Sequence, residues 1–537
     1  MKGAAPPTQP PRGVWRDVAF LGLLSLACIQ AGAQSAVSST WHLPLDDVAL
    51  QVRMARDSDQ VVVPSIQPLS SWLRPASLKP TNEPFQGLNV VGEFRGIQSA
   101  PVGDESGRGF RAISIAYGLA TRGAWNHRWA YHASVLRWRV PLGSPLANEV
   151  RDYRTMDGLG RAQLLDASYA FVDRVEWGLS RTLSPSVELR VGQESNHWGP
   201  GARSLFLDRH MAPAIGARLW VDAGIVQYSH LLIRTVHPLA NRDSSVAGWM
   251  AAHMAEVSLG AGWTGSVFGA VKWRNSDVAF DHRIDPHYLV PFVAFRPREY
   301  HQGSADNALV GLQLTKRFAS SQGHRWTAYG QLLLDELLVS RLNDGTQWWG
   351  NKWGLLAGAH VTSATGRWGW LAEGACVRPW VYAHNTEPLS FTHLHQPLGH
   401  PGGANFVEGR VRVRHKPNAE WVGRLSLLHR VQGRSTGTSE TNLVVVAGEL
   451  TTASTAGRDG DDGHAWLQGV NASLTRVELD VARYLGTKFG VGGIEAFLRV
   501  WARIETQQGG VAWTPEWDTH RIEVGVRHSR VMQERDW

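Results

Sequence analysis

The sequence predicts an all-β fold: a transmembrane antiparallel β-barrel of roughly 16–18 strands, with a short N-terminal periplasmic or plug segment. Three observations lead there. The chain opens with an export signal, long stretches alternate apolar and polar residues with period two, and no later stretch is apolar enough for a membrane helix.

The export signal comes first. Lys2, Arg12 and Arg16 form a basic start, and Val18 to Ile29 is an apolar run too short to span a bilayer. Ala31-Gly32-Ala33 is a small-x-small site that places the mature start at Gln34. Leu26-Ala27-Cys28 is partly lipobox-like, so a lipoprotein start is the alternative, although Ser25 stands where a large aliphatic residue is preferred. Residues 1–33 therefore read as a signal peptide, 34–86 as a periplasmic or plug segment, and 87–537 as the barrel. In 34–86 the prolines at 64, 68, 75, 80 and 84 interrupt regular structure, and Asp46 to Arg56 suits a short helix.

Composition agrees with export to a membrane. Only 19% of residues are charged, while the chain holds 56 Gly and 25 Trp, which suits tight turns and indoles at a lipid–water boundary. Losing the signal removes three basic residues and one acid, so the net charge falls from +7 to +5. That balance is compatible with an acidic glycan partner. Cys28 lies in the signal, which leaves Cys376 alone and excludes an internal disulfide framework.

The strands follow from alternation. Val175, Trp177 and Leu179 alternate with Glu176, Gly178 and Ser180; after a Ser184-Pro185-Ser186 turn, Val187, Leu189 and Val191 alternate with Glu188, Arg190 and Gly192. Val407, Gly409, Val411 and Val413 alternate with Glu408, Arg410, Arg412 and Arg414. Beyond a Pro417-Asn418 turn, Trp421, Gly423, Leu425 and Leu427 alternate with Val422, Arg424, Ser426 and Leu428. Ile522, Val524 and Val526 repeat the pattern near the end. A soluble β-sandwich also alternates. The arginine rows, the tryptophans, the export signal and the lack of a second domain type together favour a barrel with an apolar outside and a wet lumen. Trp537 supplies a terminal aromatic of the kind the barrel-insertion machinery recognises, though Met532 to Asp536 breaks the alternation before it.

Four segments resemble the Wzi-type capsule-assembly outer-membrane proteins and their gliding-motility, RemB-like relatives. They are Gln193 to Gly201 with Ser204 to Leu207, Pro291 to Gly311, Tyr329 to Glu336 with Trp348 to Gly354, and Phe391 to Glu408. They stand in the expected order over about residues 190–410; Gly402 replaces a usual leucine after His400-Pro401, and the C-terminal third carries no such segment. The resemblance implies an 18-stranded or similar barrel in the bacterial outer membrane. It further implies a lectin-like role in holding capsular polysaccharide, or surface adhesion and motility in the gliding branch.

Candidate sites each carry two readings. His197 and Trp198, in Asn196 to Gly201, either face a sugar from a loop folded into the pore or anchor a turn that Gly-Pro-Gly dictates. Trp348, Trp349, Asn351 and Lys352 either form a carbohydrate platform or mark an interfacial belt. Arg410, Arg412, Arg414, Arg424 and Arg430 either make a basic lumen stripe for uronates or phosphates, or pair with Glu408, Glu420 and Glu440. His393, His395 and His400 lack a ligand set for a metal, and Asp459 to Gly463 lacks the spacing of a calcium loop. Ser195, Asn196, His197 and Ser204 offer lipase residue types, but neighbours on a strand point apart and no nucleophile elbow is present.

The expected function is thus a non-enzymatic barrel that binds or organises surface polysaccharide, with adhesion or a porin channel as alternatives. Expected partners are an acidic surface polysaccharide or lipopolysaccharide, outer-membrane lipid, and the insertion machinery during biogenesis. No cofactor, metal or nucleic acid is called for.

Overall fold

The computed structural model describes residues 85–528 apart from 103–109, 126–127, 143–149, 157, 167–168, 240–243, 275–285, 291–305, 440–441, 450, 452–453, 486–493 and 513–517. The expected signal peptide (1–33), nearly all of the 34–86 segment, Glu440, Trp537 and most of Pro291 to Gly311 lie outside the described residues.

Eighteen long strands make the wall. They are β1 (Phe85–Val102), β2 (Phe110–Trp125), β3 (Trp129–Pro141), β4 (Tyr169–Ser184), β5 (Val187–Glu194) and β6 (Ala214–Asp222). Next come β7 (Val226–Pro238), β8 (Ser245–Gly260), β9 (Trp263–Arg274), β10 (Asn307–Ala319), β11 (Arg325–Glu336) and β12 (Lys352–Thr362). The last are β13 (Trp368–Val377), β14 (Phe406–His415), β15 (Trp421–Arg434), β16 (Val470–Tyr484), β17 (Ile494–Gln508) and β18 (Asp518–His528). Each pairs antiparallel with the next, and β1 pairs with both β2 and β18, so the sheet closes and leaves no edge. The short strand Gly160–Leu164 hydrogen-bonds onto the upper part of β4 beyond the end of β5, and Thr155–Met156 pairs with Gly160–Leu164 in turn.

The wall is inverted relative to a soluble protein. Outward side chains are large and apolar and remain exposed: Val135, Leu312, Leu355, Val411, Leu425, Leu479, Val500 and Val524. Inward side chains of the same strands are polar and buried, among them Gln313, Glu373, Glu408, Arg424, Asp480, Glu505 and Arg527. Two aromatic girdles bound the apolar band. Trp129, Trp263, Trp326, Trp368 and Trp421 stand at the end where connections are short, while Trp249, Trp353 and Trp273, the last covered by Tyr288 of the following loop, stand at the other. Trp263 and Trp273 lie ten residues apart on β9. At about 3.4 Å per residue and a tilt of about 40°, that separation is about 26 Å along the membrane normal, which matches a hydrocarbon core. Short turns are periplasmic and long loops extracellular in such barrels, so the 142–168, 195–213, 337–351, 378–405 and 435–469 connections lie on the outer side.

Candidate functional site

Two extracellular loops do not stay outside. Residues 195–213 and 378–405 fold into the barrel and bury Trp198, Leu205, Phe206, Leu207, Met211, Val381, Tyr382, Phe391 and Leu398 against inward residues of β6–β14. Phe206 stacks on Phe268 with centroids 4.5 Å apart, and Trp198 meets the same ring edge-on at 6.0 Å. Full burial of each such side chain is worth about 1.5–3 kcal/mol, so the loops form an internal plug with its own core. A third loop, 142–168, packs Val150, Met156 and Leu159 on the inner faces of β2–β4.

Polar contacts fix the plug in register. Glu373 of β13 accepts the Tyr329 hydroxyl at 2.6 Å and the backbone N–H groups of Ala202 and Arg203 at 3.1 and 3.0 Å. Gln331 of β11 accepts the Leu205 N–H at 2.9 Å. The Tyr382 hydroxyl donates to the Leu205 carbonyl at 2.7 Å, and the Asp208 N–H donates to the Leu398 carbonyl at 2.8 Å, which join the two loops. Lys272 of β9 donates to the Ser390 and Thr392 carbonyls at 2.5 and 2.6 Å. Glu408 of β14 accepts from Arg430 at 2.5 Å and lies 3.7 Å from His400. Within the plug, Asp208 bonds to His210 at 2.5 Å and accepts the Ser204 N–H at 2.8 Å. Burial alone would raise the Asp208 carboxyl; the charges of His210, His197 and Arg203 outweigh it and hold it well below the usual range. Burial pushes His393 down to about 3 and His400 down to about 4, so both are neutral at pH 7.

Two further loops, 337–351 and 435–469, join 378–405 in a cap above the plug. The Trp349 N–H donates to the Asp461 carbonyl, the Trp380 indole N–H to His464, and the Asn405 amide to the carbonyls of Gly433, Ala447 and Gln468. Burial lowers the His464 imidazole. The Arg458 guanidinium sits 4.1 Å from the centre of the half-buried Trp349 ring, and Trp348 lies 6.0 Å from Trp349 at a tilt of 57°.

The ten residues singled out from the sequence thus fall in three places. His197 and Trp198 belong to the plug. Trp198 has no exposed surface, so its indole offers no open face to a sugar, and His197 bonds to the Gly201 carbonyl at 3.0 Å. Trp348 and Trp349 belong to the cap and keep surface. Asn351 and Lys352 do not reach the surface beside them: Asn351 accepts the Leu338 N–H at 2.9 Å, and Lys352 pairs with Asp335 at 3.1 Å because it begins β12 pointing inward. Arg410, Arg412, Arg414 and Arg424 face the lumen. Arg424 pairs with Asp480 at 3.2 Å, and Arg410 stands directly across from Glu373 in the strand register. Glu408 pairs with Arg430 as the sequence suggested, but Glu420 pairs with Arg483 on the lipid-facing surface at the periplasmic end of the wall. Among the described residues no His, Cys, Asp and Glu cluster could hold a metal ion.

Sequence reasoning missed Arg458, Glu373, Asp208 and Arg203. Glu373 meets Ala202 171 positions away, and Arg458 meets Trp349 from another loop, contacts that no local pattern announces; Asp208 and His210 are near neighbours, but only the folded plug buries them together. It also missed how the lumen wall of β14–β18 is charged. Among the described residues, eleven arginines there face inward against six carboxylates, while only Arg483 and Asp518 carry charge on the outer face. Asp480 is the hub, at 2.8 to 3.2 Å from Arg424, Arg499 and Arg527.

A closed, inverted wall with two aromatic girdles defines the class: this is an outer-membrane β-barrel, of a kind whose outer mouth is filled by its own loops. No protein-family model matches the chain, and no curated protein sequence matches it. Solved structures similar to it include Wzi, described as a carbohydrate-binding β-barrel involved in group 1 capsule assembly in Escherichia coli. That likeness has 12% identity, covers 81% of this chain and 84% of that one, and has a TM-score of 0.47. OpdK of Pseudomonas aeruginosa, crystallised with vanillate, has 11% identity over 82% and 97% of the two chains with a TM-score of 0.43. OccAB4 of Acinetobacter baumannii has 9% identity over 84% and 99% with a TM-score of 0.46. The barrel assignment rests on the strand register and the wall itself.

Proposed function

We propose that this protein is a non-enzymatic barrel that binds or organises an acidic surface polysaccharide, lectin-like, at its extracellular cap. The observation that carries the reading is the loop plug in the barrel's outer mouth. Segments that resemble Wzi-type capsule-assembly proteins, far apart in sequence, converge there: Gln193 to Leu207, Tyr329 to Glu336, Trp348 to Gly354 and Phe391 to Glu408 build the plug, its footing and the cap. A lumen filled in this way leaves a stiff loop platform facing outwards. On it Trp348 and Trp349 offer apolar faces for sugar C–H groups, and the guanidinium of Arg458, already paired with Asp461 at 2.7 Å, offers its remaining N–H groups to a uronate or phosphate. The test is binding of purified barrel to the host's acidic surface polysaccharide, with neutral dextran as control. Trp349→Ala should weaken binding about tenfold, the loss of roughly 1.4 kcal/mol. Absence of binding by the intact protein removes the reading.

The arginine surplus on β14–β18 favours a second reading, an anion-selective channel alongside the plug. Planar-bilayer recordings separate the two. Sustained anion conductance by the wild-type protein supports the channel, and near-silence supports the platform.

A further inference from the structure

The outer wall holds a groove that the fold itself does not require. On β11–β14 the outward residues Gly330, Ala357, Gly374 and Gly409 stand directly opposite one another in register, and His429 of β15 continues the row. Ala357, Gly374, Gly409 and His429 line a recess of about 470 Å³, banked by Val411 and Leu427. Glycine weakens a strand interior and often marks a place where another molecule approaches closely. At two lumen-facing positions of the wall the backbone needs it: a Cβ on Gly118 or Gly216 would stand 1.9 or 2.2 Å from a carbonyl oxygen of the next strand. Here it does not. A Cβ on Gly409 meets nothing within 4 Å, and those on Gly374 and Gly330 meet only ordinary contacts at 3.6 and 3.7 Å. Larger side chains would fit, so these positions hold the groove open rather than satisfying the sheet.

The depth of the groove selects its occupant. Gly374 lies six residues up β13 from Trp368 and His429 eight up β15 from Trp421, both in the periplasmic girdle. That places them about 16 Å and about 21 Å above the girdle, in a band about 25 Å tall. The groove therefore runs obliquely within the outer-leaflet half and ends at His429 near the headgroup boundary. The His429 Nδ1 bonds to the Thr475 hydroxyl at 2.9 Å, and no described residue takes up its other ring nitrogen. The groove is continuous with the lipid-facing wall, which is already the interface with the bilayer. We propose that it seats one acyl chain of an outer-leaflet lipid, whose ester or hydroxyl linkage hydrogen-bonds to His429 Nε2. This does not rest on the polysaccharide reading.

Native mass spectrometry of the full mature barrel tests it. Wild-type protein, delipidated in detergent and then titrated with a purified lipid A-type glycolipid, should hold one molecule per barrel and prefer it over phosphatidylethanolamine. Gly374→Leu with Gly409→Leu should reduce that occupancy at least tenfold while the barrel keeps its heat-modifiable migration. His429→Phe should reduce it several-fold and leave the groove intact. Equal occupancy in wild type and double variant overturns the proposal. So does a wild-type dimer that the double variant abolishes, because the groove would then receive a second barrel. Should the leucine pair prevent folding, Gly409→Ala with Gly374→Ala provides the smaller filling, and unchanged lipid retention in both it and His429→Phe counts against the seat.

Discussion

Removing the Glu373 carboxylate should unlatch the plug without dissolving the barrel. This side chain is 6% exposed and takes three hydrogen bonds, from Tyr329 and from the N–H groups of Ala202 and Arg203. Glu373→Ala leaves those three donors without their acceptor. A buried donor left unsatisfied costs about 1–3 kcal/mol, so the plug stands to lose about 3–6 kcal/mol of its attachment once some water entry is allowed for. The staves keep every ladder bond, since Glu373 lies in the middle of β13 and only its side chain changes. Glu373→Gln keeps an acceptor and should lose a smaller part. Single-channel recording reads the difference: the alanine variant should show frequent, large openings, the glutamine variant fewer, and the wild type almost none. Gel migration before and after heating should be the same in all three. Wild-type-like silence in Glu373→Ala would refute the view that this carboxylate latches the 195–213 loop.

The plug should also loosen in acid. His393 and His400 are held neutral by burial, at about 3 and about 4 against an ordinary 6.5, so the detached loop takes up protons below pH 6.5 that the docked loop refuses. Docking strength is therefore full above pH 6.5 and falls as pH drops towards 4, by about 2 kcal/mol per histidine at pH 5; hydrogen exchange across 378–405 should rise from pH 7 to pH 5, and a flat profile speaks against it. Asp480→Ala strips the shared partner from Arg424, Arg499 and Arg527 and should cost about 3–5 kcal/mol in urea unfolding from vesicles; an unchanged midpoint would mean the arginines find other partners. Val524→Arg places a cation on the lipid side of β18, where Val524 is 57% exposed, and should cost about 2–4 kcal/mol in the same assay. A neutral result there would mean that this face does not meet hydrocarbon.

The fold was legible wherever the two faces of a strand differ in chemistry. In β14, Glu408, Arg410, Arg412 and Arg414 point into a charged lumen while Val407, Val411 and Val413 point to lipid, so the period of two stands out. The same holds for the β4–β5 hairpin and for β18, and the turn at Pro417-Asn418 sits where Asn418 accepts the Trp421 N–H at 3.0 Å. The lumen placement of the arginine stripe followed directly from that period. The sites were less legible because a side chain's task depends on what the loops bring to it. Asn351 and Lys352 look like exposed polar neighbours of Trp349, yet Asp335 and the Ala383 carbonyl draw Lys352 inside.

The staves where alternation failed as a signal are those on which the plug stands. On β7–β12 the inward positions include Leu231, Ile233, Met250, Met254, Phe268, Leu309, Leu333 and Leu356, all buried, while the outward positions include Leu232, Val267, Leu312, Leu332 and Leu355. A strand apolar on both faces loses its period of two and reads as a buried strand of a soluble protein. In a barrel the inner apolar face has no lipid to meet, so it needs protein against it, and Trp198, Phe206 and Phe391 supply that protein. The loss of alternation is thus itself a signal. Within a chain already known to be a barrel, a run of doubly apolar strands marks the footprint of an internal plug, and the loops rich in buried aromatics between and beside them mark the plug. Emptying this footprint by deleting residues 199–210 should therefore expose inner leucines to water and destabilise β7–β12, whereas the charged arc of β15–β18 should be unaffected. Uniform protection of both arcs in hydrogen exchange would count against that division of the wall.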